Sequence, residues 1–152
     1  MYKLWHKVSN MGVTDILSEQ DRTIVILLNR LCFSIILGSF FYGLIALSQE
    51  SFYHLIITFL LPAISHGSVI WLHYKQKYNA AKTALIITAM SALVGFAFFF
   101  GKDTQIEYDM VIYVIGGYLL FNDKKSHWFF AFLSLIAFLS CKIIYYYTTP
   151  II

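Results

Sequence analysis

Apolar runs and short polar breaks alternate along this chain, and most of the runs approach the length of a membrane span. Four of them cover about 31–47, 52–74, 83–100 and 128–147, and a fifth covers only about 109–121. A helix rises about 1.5 Å per residue, so roughly 20 apolar residues cross a hydrocarbon core of about 30 Å. The pattern predicts an all-α polytopic membrane helical bundle of about five transmembrane helices. The fourth run reaches only about 20 Å, so it is extended by its flanks or it is a thin, partly re-entrant segment.

Ahead of the first run, Leu4, Val8 and Met11 follow helical spacing beside Lys3 and Lys7. Two readings stay open: a short amphipathic helix on the inner leaflet with Trp5 at head-group depth, or a frayed terminus. Gly12 marks a helix stop. Ser18 and Asp21 have the spacing of a capping box and predict a helix from near Glu19. That helix runs into span 1 through a partly exposed lead-in, because Asn29 and Arg30 resist deep burial. The expected division is 1–22, a cytoplasmic N-terminal segment, and 23–152, the membrane domain. Ser34 and Gly38 in span 1, and Thr88/Ala92 and Ser91/Gly95 in span 3, form small-residue faces that usually pack on another helix. Pro62 interrupts span 2 and predicts a kink.

Composition supports a bilayer as solvent. Hydrophobic residues make up 59% and charged residues 12%, with a mean hydropathy of +0.70. A soluble domain carries about 25% charged residues. The net charge of +3 is too weak and too scattered to suggest a nucleic-acid surface. The two cysteines, Cys32 and Cys141, fit no metal or CxxC spacing and read as small core residues. No metal, cofactor or catalytic set is expected. No cleavable signal peptide is expected either, since the first 22 residues are mixed and polar.

Charge sets the orientation. Lys3, Lys7, Arg22, Arg30, Lys75, Lys77, Lys82, Lys124 and Lys125 fall on one side, against Lys102 and Lys142 on the other. Nine cations against two place the first side, with the N-terminus, in the cytoplasm. Five spans then leave the C-terminus outside. Lys142 is expected to snorkel.

Several residues are candidates for function. His66 lies deep in span 2 next to Pro62, where an ionisable group is a functional hypothesis; it titrates, binds a ligand, or simply donates to a carbonyl freed by the proline. Asp103, Glu107 and Asp109 cluster in an outer loop and bind a cation or basic ligand, or are solvated charge. Asn29 and Arg30 transmit motion from the lead-in to the bundle, or are a polar pair at the head groups. Ser65 and His66 are adjacent and point about 100° apart, so they are not a catalytic dyad. His6, His54, His73 and His127 read as interfacial.

Four segments carry a family resemblance: Trp5-x-Lys7-x-Ser9-Asn10-x-Gly12-Val13, Leu27-Leu28-Asn29-Arg30, Phe100-Gly101-Lys102 leading to Glu107, and Leu119-Leu120-Phe121-Asn122-Asp123. Together they resemble the N-terminal multi-span domain of signalling proteins of Bacteroidota, sensor histidine kinases and class III adenylate or guanylate cyclases. The resemblance implies an input or anchor domain in a bacterial inner membrane, a cytoplasmic output partner and usually six spans. This chain stops at Thr148–Ile152, where a sixth span would begin, so a truncated member without its output domain is expected. No catalytic residue carries over. The expected partners are the bilayer, an output domain encoded downstream and a second copy in a dimer, with no nucleic acid. A small transporter or channel is the first alternative. It needs a polar path, for which Thr58, Ser65, His66, Thr88 and Ser91 offer little. A lipid-acting membrane enzyme is the second.

Overall fold

A computed structural model describes residues 2–48, 56–100 and 110–147. The described residues form six α-helices and no strands: α1 (Tyr2–Ser9), α2 (Glu19–Ser48), α3 (Leu61–Tyr74), α4 (Tyr78–Phe100), α5 (Met110–Leu120) and α6 (Lys124–Tyr147). A π-helical turn, Ile56–Leu60, leads into α3. Among the described residues, two helical stretches are long and apolar enough to cross a membrane, Glu19–Ile45 and Lys124–Tyr147. Along the first, Leu37, Phe40, Phe41, Leu44 and Ile45 are all exposed. The chain divides into two compact units, 1–85 and 86–152.

α2 begins where the Ser18 spacing predicts. The Asp21 amide donates to Ser18 Oγ at 3.1 Å, and the Ser18 hydroxyl donates back to the Asp21 carboxylate at 2.7 Å. Its 30 residues reach about 45 Å, longer than a hydrocarbon core, so polar lead-in and apolar span are one rod.

Pro62 sits in the first turn of α3, where the missing N–H costs no helical bond. The irregularity expected in mid-span is taken up ahead of it by the π-helical turn. At its other end α3 closes in a Schellman motif: the Gln76 amide donates to His73 O at 2.8 Å and the Lys77 amide to Leu72 O at 2.9 Å. The left-handed position usually held by glycine is filled by Gln76, with φ 58°. Gln76→Gly is therefore expected to stabilise the protein by about 1 kcal/mol, read as a higher unfolding midpoint in nanodiscs.

α4 starts five residues before the expected span 3. Lys82, expected in a loop, is inside its first turns, because Asn79, Ala80 and Ala81 continue the helix and the Ala81 amide bonds Lys77 O at 2.9 Å. α6 likewise begins at Lys124, before the expected Trp128. Asp123 caps it, accepting from the Ser126 amide at 2.8 Å and the Ser126 hydroxyl at 2.9 Å. These bonds, the amide first, hold the Asp123 carboxyl below the usual carboxylate range.

In the second unit α5 packs on α6 around Phe121, Phe130, Ala137 and Cys141. Gly117 permits the approach, since a Cβ there would lie 3.0 Å from Phe130 Cβ. On two of the small-residue faces, a methyl added at Gly38 or Gly95 meets nothing within 4 Å among the described residues. Cys32 and Cys141 are fully buried, in keeping with small core residues.

Candidate functional site

The first unit holds a buried polar junction that joins the end of α1 to α2, α3 and α4. An isolated helix leaves its last carbonyls without partners. At the end of α1 these are met by side chains from other helices. Asn29 of α2 donates from Nδ2 to Met11 O at 2.8 Å and to Ser9 O at 3.3 Å. Tyr78 of α4 donates its hydroxyl to Gly12 O at 2.8 Å. Ser9 Oγ donates to Trp5 O at 2.7 Å and accepts from Arg30 Nε at 3.3 Å.

His73 of α3 completes the junction. Its Nδ1 lies 2.7 Å from Asn29 Oδ1, and both residues have no exposed surface. Carbonyls only accept, so the two that Asn29 faces fix its amide nitrogen on their side and its oxygen toward His73. Nδ1 must therefore carry the proton, which sets the tautomer. Nε2 is buried with no hydrogen-bond partner among the described residues.

The backbone is equally constrained. Gly12 adopts φ +81°, and a Cβ there would fall 2.1 Å from His73 O. Only glycine lets the turn after α1 lie on the last turn of α3. Trp5 meets Phe33 with ring centroids 5.8 Å apart. Trp5 and Ser9 lie one turn apart, as do Phe33 and Asn29, so α1 runs antiparallel beside α2. Residues 2–9 are thus a helix docked on the bundle, not a frayed end.

Two ion pairs tie down the lead-in to α2. Lys82 is nearly buried and lies 3.4 Å from Asp21. The Ser18 hydroxyl first, and then the Lys82 ammonium, hold the Asp21 carboxyl in the lead-in turn below its usual range. Arg22 pairs with exposed Asp15 at 3.1 Å.

The expected site residues separate clearly. Asn29 and Arg30 are both in the junction. His66 and Pro62 lie apart from it, along α3. His66 Nδ1 donates to Pro62 O at 2.9 Å, and Ser65 Oγ lies 3.2 Å away. His66, expected to meet a carbonyl freed by the proline, bonds the proline's own carbonyl instead, because Pro62 lies in the first turn. Ser65 also donates to Pro62 O, at 3.1 Å. Its proton therefore points away from the ring, and the pair does not activate a nucleophile. Asp103, Glu107 and Asp109, with His54, lie outside the described residues. His73, expected at the interface, is instead fully buried; the only local signal for it is its place two residues before the basic turn at Lys75–Lys77. His127 donates from Nε2 to Phe121 O at 2.7 Å and stacks on Tyr118.

Among the described residues no group of three His, Cys, Asp or Glu side chains could hold a metal. In the second unit a cavity of about 300 Å³ opens between α4 and α6, lined chiefly by Ile87, Met90, Val94 and Ala137 with the hydroxyls of Ser91 and Ser140. It offers no acid, base or cation. The junction can hold and orient helices; nothing in it presents a reactive group to a substrate. No protein-family model, curated protein or solved structure matches this chain.

Proposed function

We propose that this chain is a membrane-embedded input or anchor domain of a signal-transduction protein of the histidine kinase or nucleotide cyclase type. It crosses the bacterial inner membrane about five times with its N-terminus in the cytoplasm. Its working part is the junction of Asn29 and His73, which makes the position of the N-terminal helix depend on how α2, α3 and α4 are arranged. A shift of α3 against α2 breaks the 2.7 Å contact and leaves the Asn29 amide free to turn away from the carbonyls of Ser9 and Met11.

One observation carries the reading. Two of the segments on which the family resemblance rests, Trp5–Val13 and Leu27–Arg30, meet at this junction. Trp5, Ser9, Gly12, Asn29 and Arg30 each make a contact there. The exposed apolar residues of α2 and α6 suit lipid as surroundings, and the charge bias of the loops supports the orientation. The same contacts bring the N-terminal segment beside the Lys75–Lys77 turn, as a shared cytoplasmic side requires.

The test has two parts. Single cysteines at positions 77 and 125 are expected to resist an impermeant thiol reagent in intact cells, and one at position 104 to react. The purified chain in nanodiscs is expected to show no kinase, cyclase or hydrolase turnover. The opposite labelling pattern overturns the orientation. Turnover by this chain alone overturns the input-domain reading in favour of an enzyme, and solute flux into liposomes overturns it in favour of a transporter.

A further inference from the structure

We propose that the outward face of α1, together with the turn after α3, binds the head groups of anionic phospholipids, so that the leaflet itself holds the N-terminal helix in place. The inference rests on the membrane reading above and adds a ligand to it.

The geometry of α1 is the first argument. Trp5 and Ser9 face α2. Lys3 and Lys7 each precede one of them by two residues, about 200° around the helix. Both lysines therefore point away from the bundle, one turn apart, and both are exposed. Docking Gly12 against His73 brings this helix beside the turn that carries Lys75 and Lys77, also exposed. Arg30, exposed at the head of the span, uses only Nε on Ser9.

Charge is the second argument. The described residues form two ion pairs, Arg22–Asp15 and Lys82–Asp21. Lys3, Lys7, Arg30, Lys75 and Lys77 have no carboxylate partner among them. Five cations drawn from three separate segments are left on one end of the unit.

The neighbouring apolar groups decide between partners. Tyr2 is 80% exposed, Leu4 55% and Ile16 94%, and Trp71 and Tyr74 are exposed one turn and one residue before Lys75. An acidic soluble protein would leave such residues wet. The head-group layer accommodates aromatic rings, aliphatic side chains and cations at one depth, and anionic lipid supplies the missing negative charge.

The experiment compares the full chain in nanodiscs of phosphatidylcholine alone and of phosphatidylcholine with phosphatidylglycerol. Thermal midpoints are read at low and high salt. The anionic lipid is expected to raise the midpoint by several degrees, with at least half of that gain lost in K3Q/K7Q and at high salt, and most of it kept in K124Q/K125Q. No gain, a gain unchanged in K3Q/K7Q, or an equal loss in K124Q/K125Q overturns the inference while leaving the membrane reading intact. A chain that fails to insert into either lipid overturns both.

Discussion

Gly12→Ala is expected to detach the N-terminal helix, lowering its stability by about 3 kcal/mol. Holding alanine in the left-handed region costs roughly 1–2 kcal/mol. The larger effect is steric. The new methyl would stand 2.1 Å from His73 O, and the obstacle is backbone, which cannot rotate away. The turn must lift. The bonds from Asn29 to Met11 O and from Tyr78 to Gly12 O then lengthen together, each contributing about 1 kcal/mol. Amide hydrogen exchange across residues 6–10, the amides that α1 bonds internally, should accelerate by about a hundredfold, on the rule that 1.4 kcal/mol is about a factor of ten, while α6 is unchanged. Gly38→Ala and Gly67→Ala are the controls. Both sit in helices with nothing within 4 Å of the added methyl, and both should stabilise by up to about 1 kcal/mol. If Gly12→Ala behaves like these controls, the docking of α1 on α3 is wrong.

The second large effect lies in the pair beneath that turn. Asn29→Leu removes three hydrogen bonds and strands the buried Nδ1–H of His73 with two helix-end carbonyls. A buried polar group left without a partner costs about 1–3 kcal/mol, so a loss of about 3 kcal/mol is expected. His73→Leu leaves only Asn29 Oδ1 unmet and should cost about 2 kcal/mol. The double variant should be less unstable than the sum by about 1–2 kcal/mol, because each single change already forfeits the shared bond. Equilibrium unfolding of the four proteins in one lipid closes the cycle. Effects that add within about 0.5 kcal/mol would mean that the two side chains are not coupled.

These two experiments touch residues of very different legibility. The apolar runs behind α2 and α6 are visible as runs, and Ser18 with Asp21 marks the start of α2 because a cap is a contact over three residues. His66 is local too: its acceptor, Pro62 O, is one turn away on the same helix. The short α5 matches the short fourth run. Other features depend on what the chain meets far along its length. His73 is 44 residues from Asn29, and nothing in the spacing around it separates a buried ring from an interfacial one. Lys82 reads as a loop cation until its partner Asp21, 61 residues away, is in view. Gln76 carries no turn signature, because glutamine is an unusual occupant of a left-handed position. Gly12 is legible as a helix stop but not as a packing site, since the carbonyl that excludes a methyl belongs to α3. Asn29 and Arg30 stand out as polar residues at the mouth of a span; their role as a cap on another helix follows only from the fold.

The junction turns on one hydrogen bond, and ring nitrogen shifts report it directly. In nanodiscs near neutral pH, the ¹⁵N spectrum of His73 should show a protonated, pyrrole-type Nδ1 and an unprotonated, pyridine-type Nε2, with Nδ1–H slow to exchange and coupled across the bond to Asn29. In Asn29→Leu that pattern should collapse toward the rapidly averaged spectrum of a free imidazole. A wild-type His73 that is already averaged, or protonated at Nε2 alone, would contradict the junction and the mechanism built on it.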